Sequence, residues 1–138
     1  KRYVVNSGDV CITVVGVNIG DIGITPNSLH LANLTEHANK LLIKDQSRLD
    51  NIYLAYYMMS DFVKRQVRKR TMAVGVPKLA LFRIQQIDLL VPPFGLQQKF
   101  KDQLASLEAQ KAQAQASLTQ AEDLFNSLLQ RAFKGELV

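Results

Sequence analysis

Apolar residues recur along the last third of the chain at alternating steps of four and three. These positions are Phe100, Leu104, Leu107, Lys111, Ala114, Leu118, Ala121, Phe125, Leu128 and Ala132, of which only Lys111 is polar. A 3.5-residue repeat is typical of a helix that packs along a partner helix. Because neither glycine nor proline lies between Gly95 and Gly135, the pattern predicts one long helix of roughly 58 Å. A helix of that length cannot bury its apolar stripe inside so small a domain, so we expect a partner helix.

Upstream of this heptad stripe, short apolar runs separated by turn residues predict strands. Val10–Val15 follows the Gly8-Asp9 turn and alternates as a strand does. Gly16, Gly20 and Gly23 then suit either strands joined by tight turns or a loop close to a ligand. Two further strands are predicted at Lys40–Lys44 and Ile87–Val91.

Between these strands the apolar period becomes helical. Ile52, Ala55 and Tyr56, Met59, and Phe62 and Val63 recur at steps of three and four. The pattern predicts one helix from Asn51 to Gln66, with Asp50 as its N-cap and a basic end that extends as far as Arg70. We interpret its tyrosines as core packing rather than as a platform for base stacking. A short helix or turn is predicted over Leu79–Ile84.

The predicted elements define the fold class and the domain boundary. We expect an α+β domain over residues 1–95, with a small mixed or mostly antiparallel sheet, followed by a long coiled-coil helix over residues 96–138.

The net charge of +5 belongs entirely to the first of these parts. Residues 1–95 contain twelve Lys and Arg against seven Asp and Glu, whereas residues 96–138 contain five of each. The densest run is KRQVRKR, residues 64–70. Such a run attracts phosphate and steers nucleic acid, but it is also typical of a solvated helix end favoured by the macrodipole.

Signatures of catalysis are missing from the sequence. His30 and His37 have no further ligands at metal-binding spacing, and no serine nucleophile motif or P-loop is present. Val91-Pro92-Pro93-Phe94 approaches the Asp/Asn-Pro-Pro-Tyr/Phe motif of amino-group DNA methyltransferases, but valine replaces the polar residue that holds the target amino group. We therefore expect a binding protein without enzymatic activity, metal or cofactor. The lone Cys11 and the lack of a long apolar run favour a cytoplasmic protein without a membrane partner.

Four segments together resemble the DNA-specificity subunit of type I restriction-modification systems. They are GDVCIT (Gly8 to Thr13), NIYLAYYMMSDFVKRQV (Asn51 to Val67), IDLLVPPFGLQQKF (Ile87 to Phe100) and LFNSLLQRAFKGELV (Leu124 to Val138). In the same order, they are similar to four features of that family. These are the Gly-Asp strand of a target recognition domain, its Tyr-Leu-x-Tyr-Tyr helix, its Pro-Pro turn before a Gln-rich helix start, and the closing motif of the subunit.

The resemblance implies a non-catalytic subunit in which each of two recognition domains reads half of a split DNA site. Long helices pair as an antiparallel coiled coil that spaces the half-sites, and the subunit docks modification (methylase) subunits and the restriction subunit. Because family domains open some tens of residues earlier, we expect this chain to be the C-terminal part of a subunit. Its helix would then pair within a complete subunit or self-associate.

On this interpretation the DNA-contacting residues can be nominated. Lys64, Arg65, Arg68, Lys69 and Arg70 are the expected phosphate contacts, and Lys78 and Asn18 the expected base readers. The helix-pairing residues are Phe100, Leu104, Leu107, Lys111, Leu118, Phe125 and Leu128. A structural oligomerisation module without DNA contact is the alternative, but it leaves the division of charge unexplained.

Overall fold

A three-stranded antiparallel sheet forms one layer of the domain. The structure, a computed structural model, describes residues 3–72 and 75–136. Strand β1 (Val10–Thr13) lies between β2 (Ile22–Ile24) and β3 (Ala38–Leu41), with Ile12 opposite Ile22 on one side and Asn39 on the other. Val10 and Ile12 alternate into the core and are fully buried. The predicted α+β class is therefore confirmed, and β3 begins two residues before the strand predicted at Lys40–Lys44.

Two helices replace the single helix that the sequence predicts over Asn51–Gln66. Helix α1 (Asn51–Met58) begins at the predicted N-cap, where the Asp50 carboxylate accepts the N–H groups of Ile52 and Tyr53. Helix α2 (Asp61–Arg70) begins anew after Ser60, whose hydroxyl accepts the N–H of Val63. The prediction of one helix was wrong because a serine followed by an acidic residue forms a new N-terminus.

The core lies between the sheet and these two helices. It consists of Ile12, Val14, Leu54, Met58, Val63, Val67 and Leu79. The short helix expected near Leu79–Ile84 is present as α3 (Leu81–Ile84). Together these elements form a two-layer arrangement in which α1 and α2 cover one face of the sheet.

The strand predicted at Ile87–Val91 does not form. Side chains of α1 and α2 bind the backbone polar groups that strand pairing would otherwise satisfy. Gln66 exchanges two hydrogen bonds with the backbone of Asp88, at 3.0 and 3.4 Å. The Tyr57 hydroxyl donates to the carbonyl of Asp88, and the Tyr53 hydroxyl to that of Leu90. These bonds occupy the N–H and carbonyl of Asp88 and the carbonyl of Leu90, three of the groups that a neighbouring strand would otherwise bind.

The predicted long helix is confirmed as α4 (Phe94–Phe133), 40 residues without interruption. Its first turn contains a fully buried glutamine, Gln97, that makes three hydrogen bonds. The side-chain oxygen accepts the N–H of Asp50 at 2.9 Å, and the amide nitrogen donates to the carbonyls of Arg48 and Pro92 at 2.8 Å each.

Two compact units are distinguished along the chain, Lys1–Lys99 and Phe100–Val138. The last two residues of the closing motif, Leu137 and Val138, lie outside the described part. Within the described residues, no helix is both long and apolar enough to cross a membrane.

Candidate nucleic-acid interface

Helix α2 carries an exposed basic stripe opposite its core-facing side. Val63, Gln66 and Val67 are buried, and at about 100° per residue the stripe lies on the opposite side of the helix. The stripe consists of Lys64, Arg65, Arg68 and Lys69, all exposed. Four of the five cations predicted as phosphate contacts are therefore free of the core, on one continuous face.

The β1–β2 turn, residues 14–21, packs against one edge of this stripe. The N–H of Gly20 donates to the carbonyl of Thr13 at 2.8 Å. A Cβ on Gly20 would lie only 2.8 Å from Cγ1 of Val67 on α2. A depression of about 220 Å³ forms where the turn and helix meet; it is lined by Ile19, Gly20, Asp21, Lys64, Val67 and Arg68. The turn therefore carries Asn18, an exposed predicted base reader, next to the basic stripe.

A hairpin loop after α2 adjoins the same turn. Met72 and Lys78 exchange backbone hydrogen bonds of 3.1 and 3.4 Å, and the N–H of Gly16 donates to the carbonyl of Pro77 at 3.1 Å. Lys78 is exposed beside this junction. The structure thus connects the two loops that carry the predicted base readers, although residues 73 and 74 of the hairpin are outside the described part.

Arg70 differs from the four cations of the stripe. Its guanidinium donates to the carbonyls of Gln66 at 3.4 Å and Gln86 at 2.9 Å. Its own carbonyl accepts a hydrogen bond from Arg83, whose guanidinium lies 5.6 Å from the centre of the Phe82 ring. Arg70 therefore fastens the end of α2 to the loop after α3.

Arg83 is a basic residue that no pattern in the sequence marks as a candidate contact. It stands alone in the apolar segment LFRI, so no run of charge marks it. Arg83 reaches Arg70 only because the chain folds so that α3 lies near the end of α2.

Two tyrosines of α1, Tyr53 and Tyr57, bind the backbone of the chain through their hydroxyls. The rings of Tyr53 and Tyr57 are stacked with centres 6.0 Å apart, and their hydroxyls hold the segment before Pro92. Burial raises the pKa of Tyr53, and the neighbouring Tyr57 raises it further. The hydroxyl hydrogen bonds and the ring stacking therefore give Tyr53 and Tyr57 a structural role.

The unit formed by residues 100–138 has its own exposed surface. Leu107, Leu118, Phe125 and Leu128 are exposed along α4, whereas Phe100 and Leu104 are half-buried. Lys111 is exposed on the same stripe. This leaves a long apolar face of the kind that pairs with another helix.

Metal chemistry finds no support in the described residues. Across residues 3–72 and 75–136, no group of three or more His, Cys, Asp or Glu side chains is placed to hold a metal ion.

Comparison with protein-family models identifies a family that this chain matches. The family model described as the type I restriction modification DNA specificity domain matches residues 1–122. That range contains the sheet, the basic stripe and most of α4. No curated protein matches the chain significantly.

Proposed function

The chain belongs to the type I restriction modification DNA specificity family, and from this premise we propose that it reads one half of a bipartite DNA target. DNA specificity within a restriction-modification system is the role of the family. Half-site reading is the finer step, and it is supported above all by the basic stripe on α2.

Phosphate contact is the task best suited to Lys64, Arg65, Arg68 and Lys69. These cations share one exposed face, and no core contact restrains them. A row of cations on a duplex backbone releases counterions and fixes the orientation of the protein, whereas base edges supply the sequence information. The β1–β2 turn and the hairpin loop, which border α2, are the elements available for base edges.

Assembly is the second part of the proposal. We infer that the chain is non-catalytic and docks modification and restriction subunits. We further infer that the apolar stripe of α4 pairs with a helix of the same repeat, either in a second copy or elsewhere in a longer subunit. Paired helices would act as the spacer between half-sites. The exposure of Leu107, Leu118 and Phe125 supports this part.

Reversal of charge on the stripe tests DNA contact. In the complex with modification subunits, we expect Arg68→Glu with Lys69→Glu to weaken binding of duplex DNA at least about tenfold and to reduce the salt slope by about two. The matched control is Lys44→Glu with Arg48→Glu, which makes the same charge change at two exposed cations outside α2.

The same experiment distinguishes DNA reading from the alternative function, an oligomerisation module without DNA contact. The exposed stripe of α4 favours that alternative. If both double variants bind DNA as the unaltered chain does, with the same salt slope, the stripe is not the phosphate contact. If the unaltered complex assembles but does not retard DNA, the oligomerisation module is the correct function.

A further inference from the structure

The tip of the β1–β2 turn presents an apolar side chain almost entirely to solvent. Val17 is 95% exposed, and its neighbour Asn18 is exposed as well. Isolated exposed apolar residues are common on protein surfaces. This one is unusual because the backbone around it is fixed at several points.

Hydrogen bonds fix the backbone on both sides of the tip. Gly16 donates to Pro77 at 3.1 Å, and Gly20 donates to Thr13 at 2.8 Å. Within the turn, the N–H of Asp21 donates to the carbonyl of Asn18 at 3.0 Å. Gly16 and Gly20 have φ angles of +99° and +89°, which glycine adopts without strain. Val17 and Asn18 are therefore held on a constrained backbone, which reduces the entropy lost when they bind a ligand.

The tip lies beside a positively charged surface that is suited to DNA phosphates. Gly20 packs on Val67, and the second half of the turn shares its depression with Lys64 and Arg68. Asp21 adds one carboxylate to this depression, and the outward cations, Arg65 and Lys69, continue the positive surface beyond it. A duplex bound there would lie beside the turn.

We propose that Val17 and Asn18 are specificity-determining residues that read adjacent A·T pairs in the major groove. The Val17 methyl groups contact the C5-methyl group of a thymine. The Asn18 side-chain amide donates to N7 of an adenine and accepts from its N6 amino group, the pairing that asparagine geometry favours. The inference rests on the proposed function and deepens it by naming the bases read.

Selection from a pool of duplexes with randomised positions provides the test, with the chain assembled with modification subunits. Once the enriched sequence is known, each thymine is replaced by uracil, which lacks only the methyl group, and each adenine by 7-deazaadenine, which lacks N7. We expect one uracil replacement and one 7-deazaadenine replacement each to weaken binding by about fivefold or more. Val17→Ser should remove the uracil effect, and Asn18→Ala the 7-deazaadenine effect.

Two controls match the chemistry of these changes outside the turn. Leu29→Ser truncates another exposed apolar side chain, and Asn33→Ala another exposed asparagine. Both should retain the enriched sequence and both analogue effects. Because Val17 is almost fully exposed, its truncation should leave the fold intact.

The outcomes separate this inference from the function on which it rests. If the unaltered complex enriches a sequence, but Val17→Ser and Asn18→Ala enrich the same sequence with unchanged analogue effects, the inference is wrong and the proposed function stands. If the unaltered complex enriches no sequence, the proposed function is wrong and the inference is lost with it.

Discussion

Gly20 and Val67 are in such close contact that a Cβ on Gly20 would lie 2.8 Å from Cγ1 of Val67. The glycine belongs to the β1–β2 turn and the valine to the buried side of α2. Their contact joins a loop to the helix that carries the basic stripe. Gly20 meets two requirements at once, since its φ of +89° is left-handed and its neighbour leaves no room for a side chain.

We predict that Gly20→Ala lowers the free energy of unfolding by about 3 kcal/mol, through the left-handed backbone and the overpacking against Val67 together. Chemical denaturation measures the change. Gly8→Ala is the matched control, because Gly8 has a φ of +84° but nothing within 4 Å of an added Cβ. The control should show only the backbone part of the cost. Equal losses in the two variants would mean that the contact with Val67 contributes nothing to stability.

Local signals account for the elements that the sequence predicted correctly. The Asp50 cap, the strand that begins at Val10 and the uninterrupted α4 each depend on residues within a few positions of one another. A capping carboxylate, an alternating run and a heptad repeat free of glycine and proline are all visible in a short window.

The strand that was predicted wrongly depends on partners distant in the sequence, whereas the break between α1 and α2 follows from the local cap at Ser60 and Asp61. Ile87–Val91 has the composition of a strand, but Gln66 and two tyrosines bind its backbone. The hydrogen bond from Arg83 to the carbonyl of Arg70 likewise forms only in the tertiary structure. The same is true of the packing of the β1–β2 turn against α2. The basic run predicted where a charged surface would lie, but not that Arg70 would bind backbone carbonyls beside it.

Gln97 should be far more important for stability than its neighbour in the sequence. It is fully buried and satisfies three backbone groups, those of Arg48, Asp50 and Pro92. Gln97→Ala should lower the free energy of unfolding by about 3 kcal/mol, because buried groups lose their partners. Gln98→Ala, one position further along α4, should cost less than about 1 kcal/mol. Similar losses in the two variants in denaturant titrations would contradict the assigned role of Gln97.

Substitutions of Arg70 and Lys69 should affect different properties, the first mainly stability and the second mainly DNA binding. Arg70→Ala should lower the free energy of unfolding by about 1–2 kcal/mol, because the bonds to Gln66 and Gln86 are lost. Lys69→Ala removes an exposed side chain and should change stability by less than about 0.5 kcal/mol, while it weakens DNA binding and lowers the salt slope by about one. Thermal denaturation and gel retardation over a range of salt concentrations measure both effects. The reverse pattern would show that Arg70 is a phosphate contact and Lys69 is not.

Low pH should lower the free energy of unfolding of the domain, partly through protonation of Asp9. Burial alone would raise the pKa of Asp9, but the N–H of Asn6 and the ammonium of Lys40, 2.9 Å away, hold that pKa below its ordinary value of 3.8. A lowered pKa in the folded state stabilises the fold above pH 3.8, and this contribution is lost as the pH falls through the lowered value. The stability difference between the unaltered chain and Asp9→Asn should therefore shrink in acid. A difference that stays constant with pH would show that Asp9 makes no such contribution.

Leu118 tests whether the exposed stripe of α4 pairs with another helix. Leu118→Asp places a carboxylate on the stripe and, if that stripe is buried in a helix pair, should weaken self-association of the chain at least about 100-fold. Gln120→Asp introduces the same side chain about 200° around the helix, on the face away from the stripe, and should leave association unchanged. Sedimentation equilibrium measures the association, and circular dichroism checks that both variants keep their helix. If Leu118→Asp and Gln120→Asp associate as the unaltered chain does, and Leu118→Asp also assembles normally with modification subunits, α4 does not pair through its heptad stripe.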